Sequence, residues 1–225
     1  LYKVQPAVSI SVMYQRKRSD RMPAILITGC STGFGLETAR LFLDRGWTVI
    51  ATMRKPDASV LPASDDLKIL PLDVTDRASI DAAVSAAGRI DVLVNNAGFG
   101  GEGELVDMSD EDWDSVIDTN LSGTFKVVRR AAKGMLRLRR GRIVLISSVV
   151  GLLGSAGQVN YAATKSGLVG IARSLTRELG GRGIGSKLAR ATLEEARAGS
   201  RETRQDLVQL TARADAAAAQ LRLLL

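Results

Sequence analysis

In 225 residues the chain carries 31 Lys and Arg against 24 Asp and Glu, a formal net charge of +7, with 45% apolar residues. That suits one domain with a buried core and excludes a disordered tail. The absence of His excludes Ser-His-Asp and Cys-His nucleophiles, the single Cys30 excludes an intrachain disulfide framework, and no metal site is expected.

Residues 1–22 hold Lys3, Arg16, Lys17, Arg18 and Arg21 against Asp20. No apolar run there is long enough to span a bilayer or to read as a signal peptide, so the segment reads as a basic N-terminal extension. From residue 23 short apolar runs alternate with amphipathic stretches. Residues 24–28 read as a buried strand, 36–45 as a helix closed by Gly46, and 48–53 as the next strand. A third strand is expected at 67–72, a helix at 80–87 and a fourth strand at 91–95. Residues 112–138 are helical in pattern, with a break expected near 120–123. A fifth strand follows at 142–147, then a long helix at 159–179 closed by Gly180 and Gly181. Strands without alternation, separated by helices, predict an α/β fold with a doubly wound parallel sheet covered on both faces.

After Ile184 the texture changes. No Pro and no aromatic residue occur, and no strand-like run is expected. Residues 185–225 read as a helical tail in which Leu207, Leu210, Ala214, Ala217, Leu221 and Leu224 follow heptad spacing. That pattern serves a coiled coil or a single surface helix equally.

The charge is as uneven as the texture. Residues 23–181 hold 18 residues of each sign, so the excess lies at the two ends. Within the neutral middle, 126–142 carries eight Lys and Arg and no acid. It reads either as a solvated helix face or as a docking patch for an acidic partner. Aromatics at 4% are few for a protein that stacks on bases, and no nucleic-acid partner is expected.

The stretch TGCSTGFG (28–35) follows the first strand and opens a helix. Gly29, Gly33 and Gly35 let the backbone turn tightly and approach a phosphate. The helix N-terminus beside Ser31, Thr32 and Phe34 then offers N–H groups to it. Alone, the stretch also serves as a plain strand–helix turn. At the end of the second strand a dinucleotide site that takes NAD places an acid; here Met53 and Arg54 stand instead. Arg54 pairs with a 2′-phosphate in one reading, which favours NADP(H), and is a solvated strand end in the other. Asp73 and Val74 close the third strand, and Asn95, Ala97 and Gly98 close the fourth, all at strand ends that line the ligand crevice of an open sheet. Tyr161 and Lys165 lie at i and i+4 of the long helix and face one side. A neighbouring ammonium favours the phenolate, so Lys165 is expected to bring Tyr161 toward neutral pH as a general acid or base. Ser148, just past the fifth strand, is placed to hold a carbonyl oxygen.

These motifs, in this order from residue 23 to 184, resemble those of the classical short-chain dehydrogenases/reductases: TGCSTGFG (28–35), Asp73, NNAG (95–98), Asn120, the serine of ISSVVG (146–151) and YAATK (161–165). The resemblance implies a Rossmann-like NADP-binding core over 23–184 that reduces a ketone. Ser148 would polarise the substrate carbonyl and Tyr161 would be the general acid. Lys165 would hold the nicotinamide ribose, and Asn120 would anchor a water of the proton relay. Residues 24–100 are similar to steroid- and retinol-type reductases through GCSTGFG (29–35) and ATMRKP (51–56). Residues 120–183 are more similar to 3-oxoacyl-acyl-carrier-protein reductases of fatty-acid synthesis. That half implies a 3-oxoacyl thioester substrate and docking of the acidic carrier protein at Arg139 and Arg182; a cytoplasmic homo-oligomer without membrane contact is expected. In this family a sixth and a seventh strand follow residue 184. Their expected absence here would leave a sheet edge unpaired, and the alternatives are a weakly active or inactive cofactor-binding module and a steroid- or retinol-type ketone reductase.

Overall fold

The computed structural model describes residues 22–191. The basic extension over 1–21 and the heptad-like seam from Leu207 to Leu224 lie outside them. Six parallel strands form one sheet: β1 (Ala24–Thr28), β2 (Thr48–Met53), β3 (Leu67–Pro71), β4 (Val92–Asn95), β5 (Gly141–Ser148) and β6 (Ile184–Ala191). Their order is β3-β2-β1-β4-β5-β6, so the direction of winding reverses between β1 and β4. At such a switch point the loops of two neighbouring strands part and leave a crevice.

The helices are α1 (Gly33–Asp44), α2 (Arg77–Ala87), α3 (Asp110–Ile117), α4 (Thr124–Leu138), α5 (Val150–Leu153) and α6 (Val159–Leu179). Local chemistry starts several of them. The Asp76 carboxylate accepts the Ala78 and Ser79 N–H groups and caps α2. Ser109 and Asp112 form a reciprocal capping box at α3. Ile25, Ile27, Val49 and Ala51 pack on the α1 side of the sheet with Ala39 and Phe42. Leu26, Ile50, Leu93, Ile143 and Leu145 pack on the other side against α2, α4 and α6. Both faces of β1 are thus buried, which is why its five residues are all apolar or Thr.

The expected break in the helix over 112–138 is a π segment, Asp118–Gly123, that joins α3 to α4 without interrupting the helix. The sheet does not stop at five strands. β6 pairs with β5 over eight positions, from Gly141↔Ile184 to Ser148↔Ala191. Ile184 is buried, Leu188 packs against the same core, and the Ser186 hydroxyl donates to the Ala172 carbonyl of α6 at 3.2 Å. The apolar residues of this strand are spaced out by Gly, Ser and Lys, which hid it in the sequence. Its stabilisation comes from the β5 ladder and from α6.

Candidate active site

The carboxyl ends of β1 and β4 meet in the crevice. After β1 the chain turns at Gly29 (φ 73°) and enters α1 at Gly33 (φ 59°). A side chain on Gly29 would stand 2.9 Å from Ala97 Cα, and one on Gly35 would overlap the Gly29 carbonyl. Gly33 differs, since none of the described residues lies within 4 Å of where its Cβ would point. Thr32 makes no side-chain cap bond and no acid occupies the first turn of α1. The N–H groups and positive dipole end of α1 therefore face an open space rimmed by the exposed Ser31, Thr32 and Phe34. A pyrophosphate fits this cradle by charge and by room.

Two residues that sequence reasoning did not single out hold the cradle in shape. The Thr28 hydroxyl accepts the N–H groups of Asn96 and Ala97 at 3.0 and 2.9 Å. The Asn96 side-chain amide donates to the Thr28 and Gly29 carbonyls at 3.0 and 3.1 Å. This clamp sets the distance between the two loops. Its signal was the presence of both residues inside the quoted motifs, but their roles depend on a pairing 68 residues apart. Asn95 is buried at the end of β4 and its Nδ2 donor has no hydrogen-bond partner among the described residues. Gly98 lies against the Asn120 side chain, where a Cβ would stand 2.8 Å from Oδ1.

At the end of β2, Met53 is buried and its sulfur accepts the Asp57 N–H at 3.3 Å. Arg54 is the first exposed side chain there. Asp73 Oδ1 accepts from the hydroxyl and the N–H of Thr75 at 2.7 and 2.9 Å. Those bonds, with a smaller contribution from the Arg54 charge, hold the Asp73 carboxyl below its ordinary range. Val74 is buried against Gly123 of the π segment. Cys30, under the cradle, is buried, and burial pushes its thiol up to about 12, so it is an inert packing group.

Ser148, Tyr161 and Lys165 converge at the end of β5. The Ser148 hydroxyl accepts the Val150 N–H at 3.2 Å and lies within hydrogen-bonding reach of the Tyr161 phenol. The Lys165 ammonium stands 5.4 Å from the centroid of the Tyr161 ring and donates to the Ile146 carbonyl at 2.8 Å. The Ser147 hydroxyl donates to the Lys165 carbonyl at 2.9 Å, fastening α6 to β5. The electrostatics differ from the expectation that Lys165 draws the phenol down. Burial raises the Tyr161 pKa, and the Ser148 hydrogen bond offsets only part of that. Burial also lowers Lys165 to about 8.

Asn120 sits in the π segment with both ends of its amide engaged. Its Oδ1 accepts the Phe99 N–H at 3.0 Å, and its Nδ2 donates to the Phe99 carbonyl at 2.8 Å. A longer contact of 3.5 Å reaches the Thr164 hydroxyl on α6, which itself donates to the Tyr161 carbonyl at 2.7 Å. The side chain thus links the loop after β4 to the helix that carries Tyr161. Arg54, Arg139 and Arg182 are exposed and stand apart from this cluster.

The architecture and site have the pattern of a dinucleotide-dependent oxidoreductase. The chain belongs to the short chain dehydrogenase family, whose match covers residues 23–198. It is 42% identical over 167 residues to the 3-oxoacyl-[acyl-carrier-protein] reductase FabG of Escherichia coli, covering 71% of this chain and 68% of that one. It is 44% identical over 171 residues to FabG of Thermotoga maritima, covering 71% and 69%. Among solved structures, a short-chain dehydrogenase from Streptomyces avermitilis superposes with a TM-score of 0.72 at 30% identity, over 77% of this chain and 72% of that one. ElxO with NADP bound superposes with a TM-score of 0.73 at 29% identity, over 76% and 74%. Among the described residues, no helix is long and apolar enough to cross a membrane.

Proposed function

We propose that the chain reduces a ketone with NADPH, and that the ketone is a 3-oxoacyl thioester. The observation that carries this reading is the meeting of Ser148, Tyr161 and Lys165 at the end of β5, on the same sheet edge as the open N-terminus of α1. When bound, NADPH supplies the hydride. Gly29, Ser31, Thr32, Gly33, Phe34 and Gly35 hold its pyrophosphate. Arg54 pairs with its 2′-phosphate, a contact that a guanidinium makes well. Asp73, Val74, Asn95, Ala97 and Gly98 line its adenosine side.

The Ser148 hydroxyl donates a hydrogen bond to the substrate carbonyl oxygen and fixes it beside Tyr161. As that oxygen gains negative charge, the Tyr161 phenol transfers its proton to it. A phenol whose pKa is raised by burial is fully protonated at neutral pH, which is the state that reduction requires. Lys165 places its positive charge beside the phenolate that remains and holds the nicotinamide ribose. Asn120 positions the Phe99 loop against α6 and, as the family resemblance implies, would anchor a water of the proton relay.

The acyl thioester is supported by the FabG relatives and by exposed apolar side chains on two segments that flank the site, Phe99 in the loop after β4 and Leu153 at the end of α5. The carrier protein is supported by the placement of Arg139 and Arg182, since Gly183 packs directly on the Arg139 carbonyl. A homo-oligomer is supported by the exposed Phe125 on α4, beside Leu121, Gly167 and Ile171 on an open apolar surface shared with α6.

The test is NADPH consumption with acetoacetyl thioesters of carrier protein and of coenzyme A, with steroid ketones and retinal alongside. Turnover of the thioesters that vanishes in Tyr161→Phe supports the reading. Equal rates in the two proteins refute the acid assignment. NADPH binding without turnover of any ketone identifies a cofactor-binding module instead. Replacing Arg54 by Ser is expected to weaken NADPH at least tenfold and leave NADH unchanged.

A further inference from the structure

The basic stretch 126–142 divides into two groups in the fold. Its C-terminal half surrounds the end of α4. Its N-terminal half, Lys126, Arg129, Arg130 and Lys133, follows i, i+3, i+4, i+7 spacing and lines a cleft of about 240 Å³ between α4 and α2. Arg77 of α2 completes the cationic wall, and the buried Ile80 forms part of its apolar floor. Among the described residues Asp81 is the one acid in the lining, so five cations there face one carboxylate, an excess of four charges.

That carboxylate is already engaged. Arg130 Nε donates to Asp81 Oδ1 at 2.6 Å, and Arg77 Nε stands 3.9 Å from Oδ2. Like charges at these helical spacings repel and destabilise the helix, and a single neutralising acid does not offset five cations. Several of the cations are held in place. Arg130 also donates to the Ser85 hydroxyl at 3.1 Å, Arg129 lies 5.0 Å over the Phe125 ring, and Lys126 donates to the Thr75 carbonyl at 3.4 Å. Lys133 and Arg77 open to solvent at the mouth.

We propose that the cleft between α2 and α4 is a binding site for a small ligand carrying two or more phosphate groups. Three guanidiniums offer paired donors that match phosphate oxygens, two ammoniums add unoriented charge, and the volume admits a small molecule. The site lies on the outer face of α2 and α4, away from the α1 N-terminus. It does not depend on the reductase reading.

The experiment is calorimetric titration of the full chain with inorganic pyrophosphate, against chloride at matched ionic strength. The probe also suits the α1 cradle, so the comparison is with an Arg77→Gln/Lys133→Gln variant. Both side chains are exposed, and melting curves check that the variant folds. The expected result is a dissociation constant at least tenfold weaker in that variant, and retained affinity in Arg77→Lys/Lys133→Arg. Equal affinity in the charge-removed variant, or no pyrophosphate heat beyond the chloride control, overturns the proposal.

Discussion

The Lys165 ammonium donates a 2.8 Å hydrogen bond to the Ile146 carbonyl while standing 5.4 Å from the centre of the Tyr161 ring. One strand carbonyl therefore fixes the cation beside the phenol. Burial brings Lys165 to about 8 and moves Tyr161 above its ordinary value. As pH rises, Lys165 is thus the first of the two to lose its proton. Ketone reduction is expected to be level near neutral pH and to fall through an alkaline limb near pH 8. A pH profile of kcat/KM in the cofactor-saturated enzyme checks this. Activity that stays level to pH 10 contradicts the assigned order of titration.

The same burial sets a stability effect. The folded-state pKa of Lys165 is lowered from 10.5 to about 8. Between those values the unfolded chain holds a proton that the folded chain has released, so stability rises with pH across that window. Below pH 8 the full penalty applies, about 3 kcal/mol. Lys165→Met removes it and strands the Ile146 carbonyl, which costs about 1 kcal/mol. The variant is expected to be inactive yet about 2 kcal/mol more stable at pH 7, an advantage that narrows toward pH 10.5. Urea melts of both proteins at several pH values measure it. A destabilised variant at pH 7 would show that the Ile146 bond outweighs the desolvation.

Gly33 and Gly35 stand two residues apart at the start of α1 and respond differently to Ala. At Gly35 the methyl would meet the Gly29 carbonyl and the Asn96 amide, so the loop must move, at about 2 kcal/mol or more. At Gly33 the space is open and only the positive φ opposes the change, by about 1–2 kcal/mol. That methyl then stands in the cradle. Gly33→Ala is expected to fold normally and lose at least tenfold in NADPH affinity. Gly35→Ala is expected to lose stability as well. Thermal melts and fluorescence titration separate the two.

Much of this arrangement was legible in the sequence where burial is two-sided or helical spacing is strict. β1, β2 and α6 follow their expected limits residue for residue, because unbroken apolar runs and a long amphipathic period leave little freedom. Tyr161 and Lys165 were legible for the same reason, since i and i+4 fix their common face. β6 was not, because Gly185, Ser186 and Lys187 lack strand character and gain it from the β5 ladder. The Thr28–Asn96 clamp was not, because it joins distant segments. Nor was the direction of the Tyr161 shift. It depends on how completely α6 and β5 exclude water, which spacing does not encode.

Arg139 offers a way to separate docking from chemistry. It closes α4 in the left-handed region, φ 49°, the one non-glycine residue to do so among those described. Glycine fits that position at lower conformational cost, by about 1 kcal/mol. Arg139→Gly is therefore expected to leave stability unchanged or slightly raised. If Arg139 and Arg182 receive an acidic carrier protein, Arg139→Gly with Arg182→Gln raises KM for the carrier-linked thioester at least fivefold. KM for the coenzyme A thioester stays the same, as does kcat for both. The salt dependence of the carrier-linked KM should flatten in the double variant, because surface charge steers the encounter of large partners. Parallel kinetics on the two thioesters provide the measurement. An equal rise in both KM values would place the two arginines in the support of the active site rather than in docking.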